Sequence, residues 1–391
     1  MRRTIVFYAG IIAILWPLVK YCRQIAVLAD EGSPWTFAVS GDSRNCGDVV
    51  MPLIATGVLE NKARFYWHLG DFRAIYKVDE DFVSQKIYMP KNGPGGLPIT
   101  TYQLLAWPDF IEHQIQPFGS LPVFLGIGNH ETIAPKTREE YLVQFSAWLN
   151  SGPVQRQRAA DYKWDWKTTT YYRWIQAGVD FINLDNATGD QFDQQQINWL
   201  ETVLTWDAKN SDVKTIVVGM HKALPGSFSD SHSMSETAAG LRSGRHVYED
   251  LLQIRDGTFA AGPNGSKTPK IVYVLASHSH YYMKDIYNTP QWSQYGKTPG
   301  SVSANGVLDG WIVGTAGAER YPPPTDPVVQ SRTTPYTYGY LLGTVAPSGT
   351  IIFKFKDVQR TSISKDLEDS FIPGFVDACF DKNRQAPPKQ P

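Results

Sequence analysis

The sequence predicts a mixed α/β sandwich, with sheets inside, helices outside and long loops over one edge. Three observations predict it. Short runs rich in β-branched and aromatic residues are almost continuously apolar, as strands covered on both faces must be. Amphipathic helical segments fall among the later runs. The 32 Gly and 26 Pro are spread through 391 residues, which suits one large loop-rich domain.

Several predicted strands run directly into short polar motifs. Trp35–Val39 runs into Ser40-Gly41-Asp42-Ser43-Arg44, and Phe65–Leu69 into Gly70-Asp71. Pro122–Leu125 leads to Gly128-Asn129-His130-Glu131. Tyr171–Gln176 and Val179–Leu184 flank Ala177-Gly178, a tight-turn signal, and read as a hairpin. Gln191–Ala208 carries Ile197, Leu200, Val203 and Leu204 on one face, the spacing of a helix. Thr215–Val218 leads to Gly219-Met220-His221, a second helix is predicted at Arg245–Ile254, and Ile271–Leu275 leads to Ser277-His278-Ser279-His280. Late strands are predicted at Trp311–Val313, Tyr338–Val345 and Thr350–Lys356. In the last of these Ile351, Phe353 and Phe355 face one way and Ile352, Lys354 and Lys356 the other, so one face meets water. Gly93–Pro98 and Pro322-Pro323-Pro324 read as loops, and Pro225–Gly244, rich in Ser and Gly, as a lid or substrate rim.

Charge and composition exclude other classes. With 37 Lys+Arg against 38 Asp+Glu the formal net charge is −1, which removes the electrostatic case for nucleic acid or an anionic membrane as main partner. Hydrophobic residues make up 42% and aromatics 13%, enough apolar area to offset chain entropy, so disorder is excluded for most of the chain. At the start, Arg2 and Arg3 precede the apolar run Ile5–Val19, and Val27-Leu28-Ala29 precedes Asp30. This segment, 1–29, reads as a signal peptide cut after Ala29. Lys20 and Arg23 between run and cut site leave the alternative of an uncleaved N-terminal membrane anchor. Both place the rest of the chain outside the cytoplasm, periplasmic or extracellular. Cys46 and Cys379 are then either a disulfide or two free thiols. Residues 30–360 form the expected main domain and 361–391 a C-terminal extension whose polar, Pro-rich end reads as disordered.

In every strand-end motif a metal-capable residue comes just past a buried strand. Loops at the carboxyl ends of sheet strands are where α/β proteins assemble sites. Singly, each has an ordinary reading: Asp42 as a helix cap, Asp71 and Asn129 as turn formers, each His as a satisfied polar residue. Together, two Asp, an Asn and several His would crowd polar groups on one rim, which is costly unless cations coordinate them. Asp, Asn and His donors without thiolates suit Zn, Mn or Fe.

This ordered set, over roughly Trp35 to Lys356, resembles the calcineurin-like metallophosphoesterase superfamily, with its series Gly-Asp-x-His, Gly-Asp, Gly-Asn-His-(Asp/Glu), a lone His after a strand, and Gly-His-x-His. The resemblance implies a β-sandwich flanked by helices, with long loops over a centre of two divalent or trivalent ions. It implies that Asp42 and His280 bind the first ion, that Asp71 bridges both, and that Asn129, His221 and His278 bind the second. His130 is implied to donate a proton to the leaving-group oxygen. Two ions about 3.5–4 Å apart stabilise the attacking and leaving oxygens of an in-line displacement and lower the pKa of water from 15.7 to about 7. Glu131 either orients His130 or is structural.

The match departs at two positions. Arg44 stands where the family usually has a ligand histidine, and arginine does not ligate metals. A backbone oxygen, water, Asn45 or Cys46 would have to substitute. Arg44 reads either as a guanidinium gripping a phosphate oxygen of the substrate or as an arginine paired with a carboxylate; Arg73 is a second candidate of that kind. Ser277 stands in place of a glycine. Purple acid phosphatases also lack the first-motif histidine and use a tyrosine three residues after the bridging aspartate. Here that position is Ala74, and Tyr76 lies two further on. His68 reads as structural or as support for the site; His232 and His246 lie in or beside the rim segment; Trp292, Tyr295 and Tyr321 either line a pocket or are packed.

The reading is an exported phosphoesterase acting on a small phosphate mono- or diester by attack of a metal-bridging hydroxide. The rival, motivated by Arg44, is a metal or phosphate-ligand binding protein on the same scaffold. A peptidase is disfavoured because the chain has no His-Glu-x-x-His.

Overall fold

The computed structural model describes residues 33–87, 97–161, 167–259, 268–297, 299, 303–322 and 324–381. The expected leader, 1–29, and the end of the extension, 382–391, lie outside these residues. So does most of the expected loop before Pro98.

Among the described residues the strands are β1 (Trp35–Ser40), β2 (Tyr66–His68), β3 (Val123–Leu125), β4 (Tyr172–Gln176), β5 (Val179–Asn183), β6 (Thr215–Gly219), β7 (Ile271–Ala276), β8 (Tyr282–Lys284), β9 (Asp309–Val313), β10 (Thr333–Thr334), β11 (Gly339–Val345) and β12 (Ile351–Asp357). They form two sheets, ordered β12-β11-β1-β2-β3 and β10-β8-β9-β7-β6-β5-β4. β1, β2 and β3 run parallel in the first sheet, as do β5, β6, β7 and β9 in the second. Parallel neighbours finish at the same edge, so the loops after β1, β2 and β3 open side by side, as do those after β6 and β7.

The continuous apolar runs are explained by burial on both faces. In β6, Val217 packs into the core between the sheets while Ile216 and Val218 pack into the layer beneath the helices. β7 repeats this, with Tyr273 and Leu275 on one side and Val272 and Val274 on the other. Aromatic rings join the sheets: Phe124 of β3 stacks on Trp174 of β4 at 3.8 Å, and Phe37 of β1 meets Phe181 of β5 edge-on at 5.0 Å. Each such pair contributes about 0.5–1.5 kcal/mol beyond its buried area. The helices Gln194–Lys209 and Ala238–Arg255 cover the second sheet with Leu200, Val203, Leu204, Val247 and Leu251. Helix Gly47–Glu60 covers the first with Val50, Ile54 and Val58.

Differences from expectation have local causes. The helix expected at Arg245 begins at Ala238, because Thr237 caps it by accepting from the N–H of Gly240 at 2.9 Å. The rim segment Pro225–Gly244 is therefore helical at its end; its Gly and Ser content imitates a loop. Helices Gly47–Glu60 and Ile99–Phe110 were not foreseen, and each carries an interior proline, Pro52 and Pro108. Residues of the expected C-terminal extension join the core through Phe371, Phe375 and Val376. Cys379 forms a disulfide with Cys46 across 333 residues, deciding between the two open readings of those cysteines. Among the described residues no helix is long and apolar enough to cross a membrane.

Candidate metal centre

The loops after β1, β2, β3, β6 and β7 are stitched into one rim by main-chain hydrogen bonds. The N–H of Asp42 donates to Gly70, that of Ser43 to Asp71, and that of Ser277 to His221, at 3.0, 3.0 and 2.9 Å. Gly41 N–H donates to Val313 of the other sheet at 3.0 Å. Asp42, Asp71 and His278 all adopt left-handed backbone conformations, with φ of 59°, 60° and 63°. Each costs on the order of 1 kcal/mol, and such strain collects where packing forces a side chain into a particular direction. Glycine is required where two loops nest. A Cβ on Gly70, at φ 94°, would lie 2.3 Å from the nitrogen of Gly128, and one on Gly128 would lie 2.2 Å from Oδ1 of Asp71.

Glu131, fully buried, holds this nest together. Its Oε2 accepts from the N–H of Asp71 at 2.8 Å and of Gly128 at 2.7 Å, and its Oε1 from Phe72 at 2.8 Å. Of the two roles left open for Glu131, this geometry is the structural one: it grips the backbone of two loops rather than the ring of His130.

Asp71, Asn129, His221 and His278 converge. Nε2 of His221 lies 3.0 Å from Oδ1 of Asn129, 3.0 Å from Nδ1 of His278 and 3.3 Å from Oδ1 of Asp71. Nδ1 of His221 donates to the carbonyl of Leu69 at 3.0 Å, so Nε2 is the nitrogen that faces the other three and that an ion would take. Oδ1 of Asp71 also accepts from the backbone N–H of His130 at 3.0 Å, but one proton on Nε2 cannot serve Asn129, His278 and Asp71 together; a cation satisfies all four groups at once. Oδ2 of Asp71 is buried with no hydrogen-bond donor. Electrostatics agree. Burial raises the Asp71 carboxyl, but His130, His221 and Arg44 hold it well below the usual carboxylate range. Burial pulls His221 down, yet Asp71 and Asp42 raise it to about 9. Burial, and then the charge of His221, hold His278 well below the ordinary imidazole value. The chemistry of these donors fits a Mn, Zn or Fe ion.

The donors implied for a first ion differ. Asp42 and His280 are adjacent, with Nε2 of His280 3.3 Å from Oδ1 of Asp42. Oδ2 of Asp42 accepts from Ser277 Oγ and, at 2.7 Å, from the N–H of His278. Nδ1 of His280 is bonded to the carbonyl of Glu319, so Nε2 carries the lone pair. That lone pair accepts from Nη2 of Arg44 at 3.0 Å. Arg44 is buried, and although burial lowers its pKa, Asp71 and Asp42 keep it firmly charged. The side chains that could substitute as ligands for this ion are engaged elsewhere. Asn45 donates to Glu80 and accepts from Glu319 N–H, and Cys46 is in the disulfide.

His130 stands beside the same aspartate, its Nε2 3.6 Å from Oδ2 of Asp71. Its Nδ1 donates to the carbonyl of Ala74 at 2.7 Å, which aims Nε2 into the site. Burial, opposed by Asp71 and reinforced by Arg44, brings it to about 4. The mouth is aromatic. Tyr76 lies against His130 at 5.4 Å, Tyr321 stacks on His280 at 4.1 Å, and His232 stacks on Tyr321 at 5.1 Å.

The structure thus brings Asp42, Arg44, Asp71, Asn129, His130, His221, His278 and His280 to one rim. Other candidates go elsewhere. Arg73 is fully buried and bonded to Asp48, Asp81 and Asp109, so it cannot reach a substrate. His68 is buried within β2, accepting from Gly70 N–H at 3.2 Å. His246 lies on a helix surface beside Glu201 and Asp250. Trp292 is core, stacked on Tyr248 at 3.7 Å, with Tyr295 against it. Sequence reasoning missed Ser277 as a partner of Asp42 and Tyr76 as part of the mouth. The hydroxyl at a position where a glycine was expected was the available signal for Ser277.

No family profile matches the chain, and no curated protein does. Solved structures do. The fold is similar to that of a purple acid phosphatase from yellow lupin (Lupinus luteus) seeds, at TM-score 0.50 and 14% identity, covering 83% of this chain and 52% of that one. The chain therefore spans about half the length of that phosphatase. PhoD matches at TM-score 0.47 and 13% identity over 85% of this chain and 73% of its own. A dimetal phosphatase from Danio rerio matches at 0.47 and 9% over 83% of this chain and 98% of its own. The likeness to the purple acid phosphatase bears out, for the fold, the resemblance to the calcineurin-like metallophosphoesterases.

Proposed function

We propose that this protein is an exported, metal-dependent phosphoesterase acting on a small phosphate mono- or diester. The observation that carries the proposal is the confrontation of His221 Nε2 with Asn129, His278 and Asp71, all within 3.3 Å. These four residues would hold a divalent or trivalent ion, with Leu69 fixing the tautomer of His221. An ion bound there supplies Lewis acidity, polarising a phosphoryl oxygen and acidifying water. Arg44 keeps guanidinium donors beyond the one given to His280, suited to a phosphate oxygen. His130, with Nδ1 held by Ala74, aims Nε2 into the site; burial brings it to about 4, and the negative charge of a bound phosphate would raise it so that it carries a proton to the leaving oxygen. Tyr76 against His130, and Tyr321 and His232 beside His280, place aromatic rings next to the site, suited to an organic ester. Export is supported by the Cys46–Cys379 disulfide, a bond kept mainly in oxidising compartments.

The contact between Arg44 and His280 favours a second reading, a ligand-binding protein without turnover. Assay of p-nitrophenyl phosphate and its bis ester, before and after chelator treatment and readdition of Mn, Zn or Fe, separates the two. The proposal expects metal-dependent release of nitrophenol that His221→Ala abolishes. Retained metal with no release of either ester supports the binding protein, and release that survives metal removal contradicts both.

A further inference from the structure

Resting on the metal-site reading above, we infer that the guanidinium of Arg44 takes the place of the first of the two expected ions, so that the chain holds a single ion, at Asp71, Asn129, His221 and His278.

Five observations carry this. The lone pair of His280 that a first ion would need already accepts from Arg44 Nη2 at 3.0 Å. Glu319 fixes that tautomer from the other side of the ring, so His280 has no second lone pair to offer. Arg44 is 7% exposed and arginine does not deprotonate in proteins, so its charge is permanent and poorly screened. A divalent ion seated among Asp42, Asp71 and His280 would meet that charge in a low-dielectric site, where repulsion between like charges is strongest. The donors that might have replaced the missing histidine are bound elsewhere, Asn45 by Glu80 and Glu319, and Cys46 by Cys379. Finally, the contrast with the second set is internal to the molecule. The nitrogens and oxygens of His221, His278, Asn129 and Asp71 face one another. At the first set the chain supplies its own cation, which stands near both Asp42 and Asp71. Asp42 is left as a support: Oδ2 takes the N–H of His278 and the hydroxyl of Ser277, fixing the loop that carries a ligand of the remaining ion.

Manganese is the probe. The purified full-length chain is stripped, equilibrated with excess Mn2+ and desalted; elemental analysis gives the ions per chain, and electron paramagnetic resonance reports whether they are coupled. The inference expects one Mn per chain and the six-line spectrum of an isolated ion. It expects Arg44→His to rise to two per chain with an exchange-coupled signal, because the substitution removes the charge and supplies a ligand. Two coupled ions in the wild type overturn the inference while leaving the metal-site reading intact. No bound Mn overturns the metal-site reading and the inference with it. A folded Arg44→His chain that still binds one ion overturns the assignment of Arg44 as the excluding group. Should that variant fail to fold, the stoichiometry and spectrum of the wild type decide alone.

Discussion

Oε2 of Glu131 lies 2.8 Å from the backbone nitrogen of Asp71 and accepts its hydrogen. Through this bond a residue outside the candidate ligand set fixes the position of its most central member. The same carboxylate grips Gly128, just before Asn129, so two loops from neighbouring strands move as one body. Glu131→Gln keeps the shape but turns an amide N–H2 toward backbone N–H groups. Hydrogen bonds to charged groups contribute about 1.5–3 kcal/mol each. The expected result is a loss of about 2–3 kcal/mol in urea unfolding, with metal affinity weakened by about 10–100-fold, as for other residues that orient ligands. Unchanged affinity would show that the loops hold their shape without Glu131.

Metal binding should be coupled to proton release. With His221 raised to about 9, its Nε2 carries a proton at neutral pH when no ion is bound. An ion must displace it. Apparent affinity should therefore rise roughly tenfold per pH unit from neutral pH up to about 9 and then level off. Calorimetry in buffers of different ionisation enthalpy should report about one proton released per ion near pH 7. Affinity independent of pH over this range would contradict the protonation of His221 Nε2 in the ion-free site.

His130→Ala should leave the bound ion in place, because Nε2 of His130 is 3.6 Å from Asp71 and outside the cluster around His221. Hydrolysis should slow by about 10²–10⁴ for esters with poor leaving groups and much less for p-nitrophenolate, which departs without a proton. Rates for a series of aryl phosphates, with metal content measured alongside, test this. Loss of metal, or equal slowing across the series, would remove His130 from the acid role.

Arg73 should prove structural. Its guanidinium lies among Asp48, Asp81 and Asp109, all buried, with Asp79 at 4.0 Å. Removing one partner of a buried ionic cluster costs about 3–5 kcal/mol, because the remaining charges stay behind. Arg73→Met should lose at least that in denaturant unfolding. Arg73→Lys should not restore it, since one ammonium cannot reach both Asp81 through Nη1 and Asp48 through Nη2. A stable Arg73→Met protein with reduced substrate affinity would reverse this assignment.

The parts of the fold legible in the sequence were those where one physical signal dominates. β6 and β7 are apolar on both faces, so their runs are continuous, and helix Gln194–Lys209 keeps a clean apolar stripe under an Asp193 cap. Helices Gly47–Glu60 and Ile99–Phe110 were hidden by interior prolines, and Ala238–Gly244 by Gly240, Ser243 and Gly244, which lower its helix propensity. For the site, residue type just past a buried strand was enough to collect the ligand candidates onto one rim. It could not reveal which side chain Arg44 meets, since His280 is 236 residues away. Nor could it show the surroundings of Arg44 and Arg73, which both follow an aspartate by two residues: the fold gives one a histidine and the other a cage of carboxylates.

The central claim is that Asp71, Asn129, His221 and His278 close around a metal ion. Equilibrium dialysis of the wild type and His221→Ala against Mn2+, with elemental analysis of both, tests it most directly. Retention by the wild type and a loss of more than about 100-fold in affinity in the variant is the predicted result, since even residues that only orient ligands are worth 10–100-fold. Equal retention by the two proteins would contradict it.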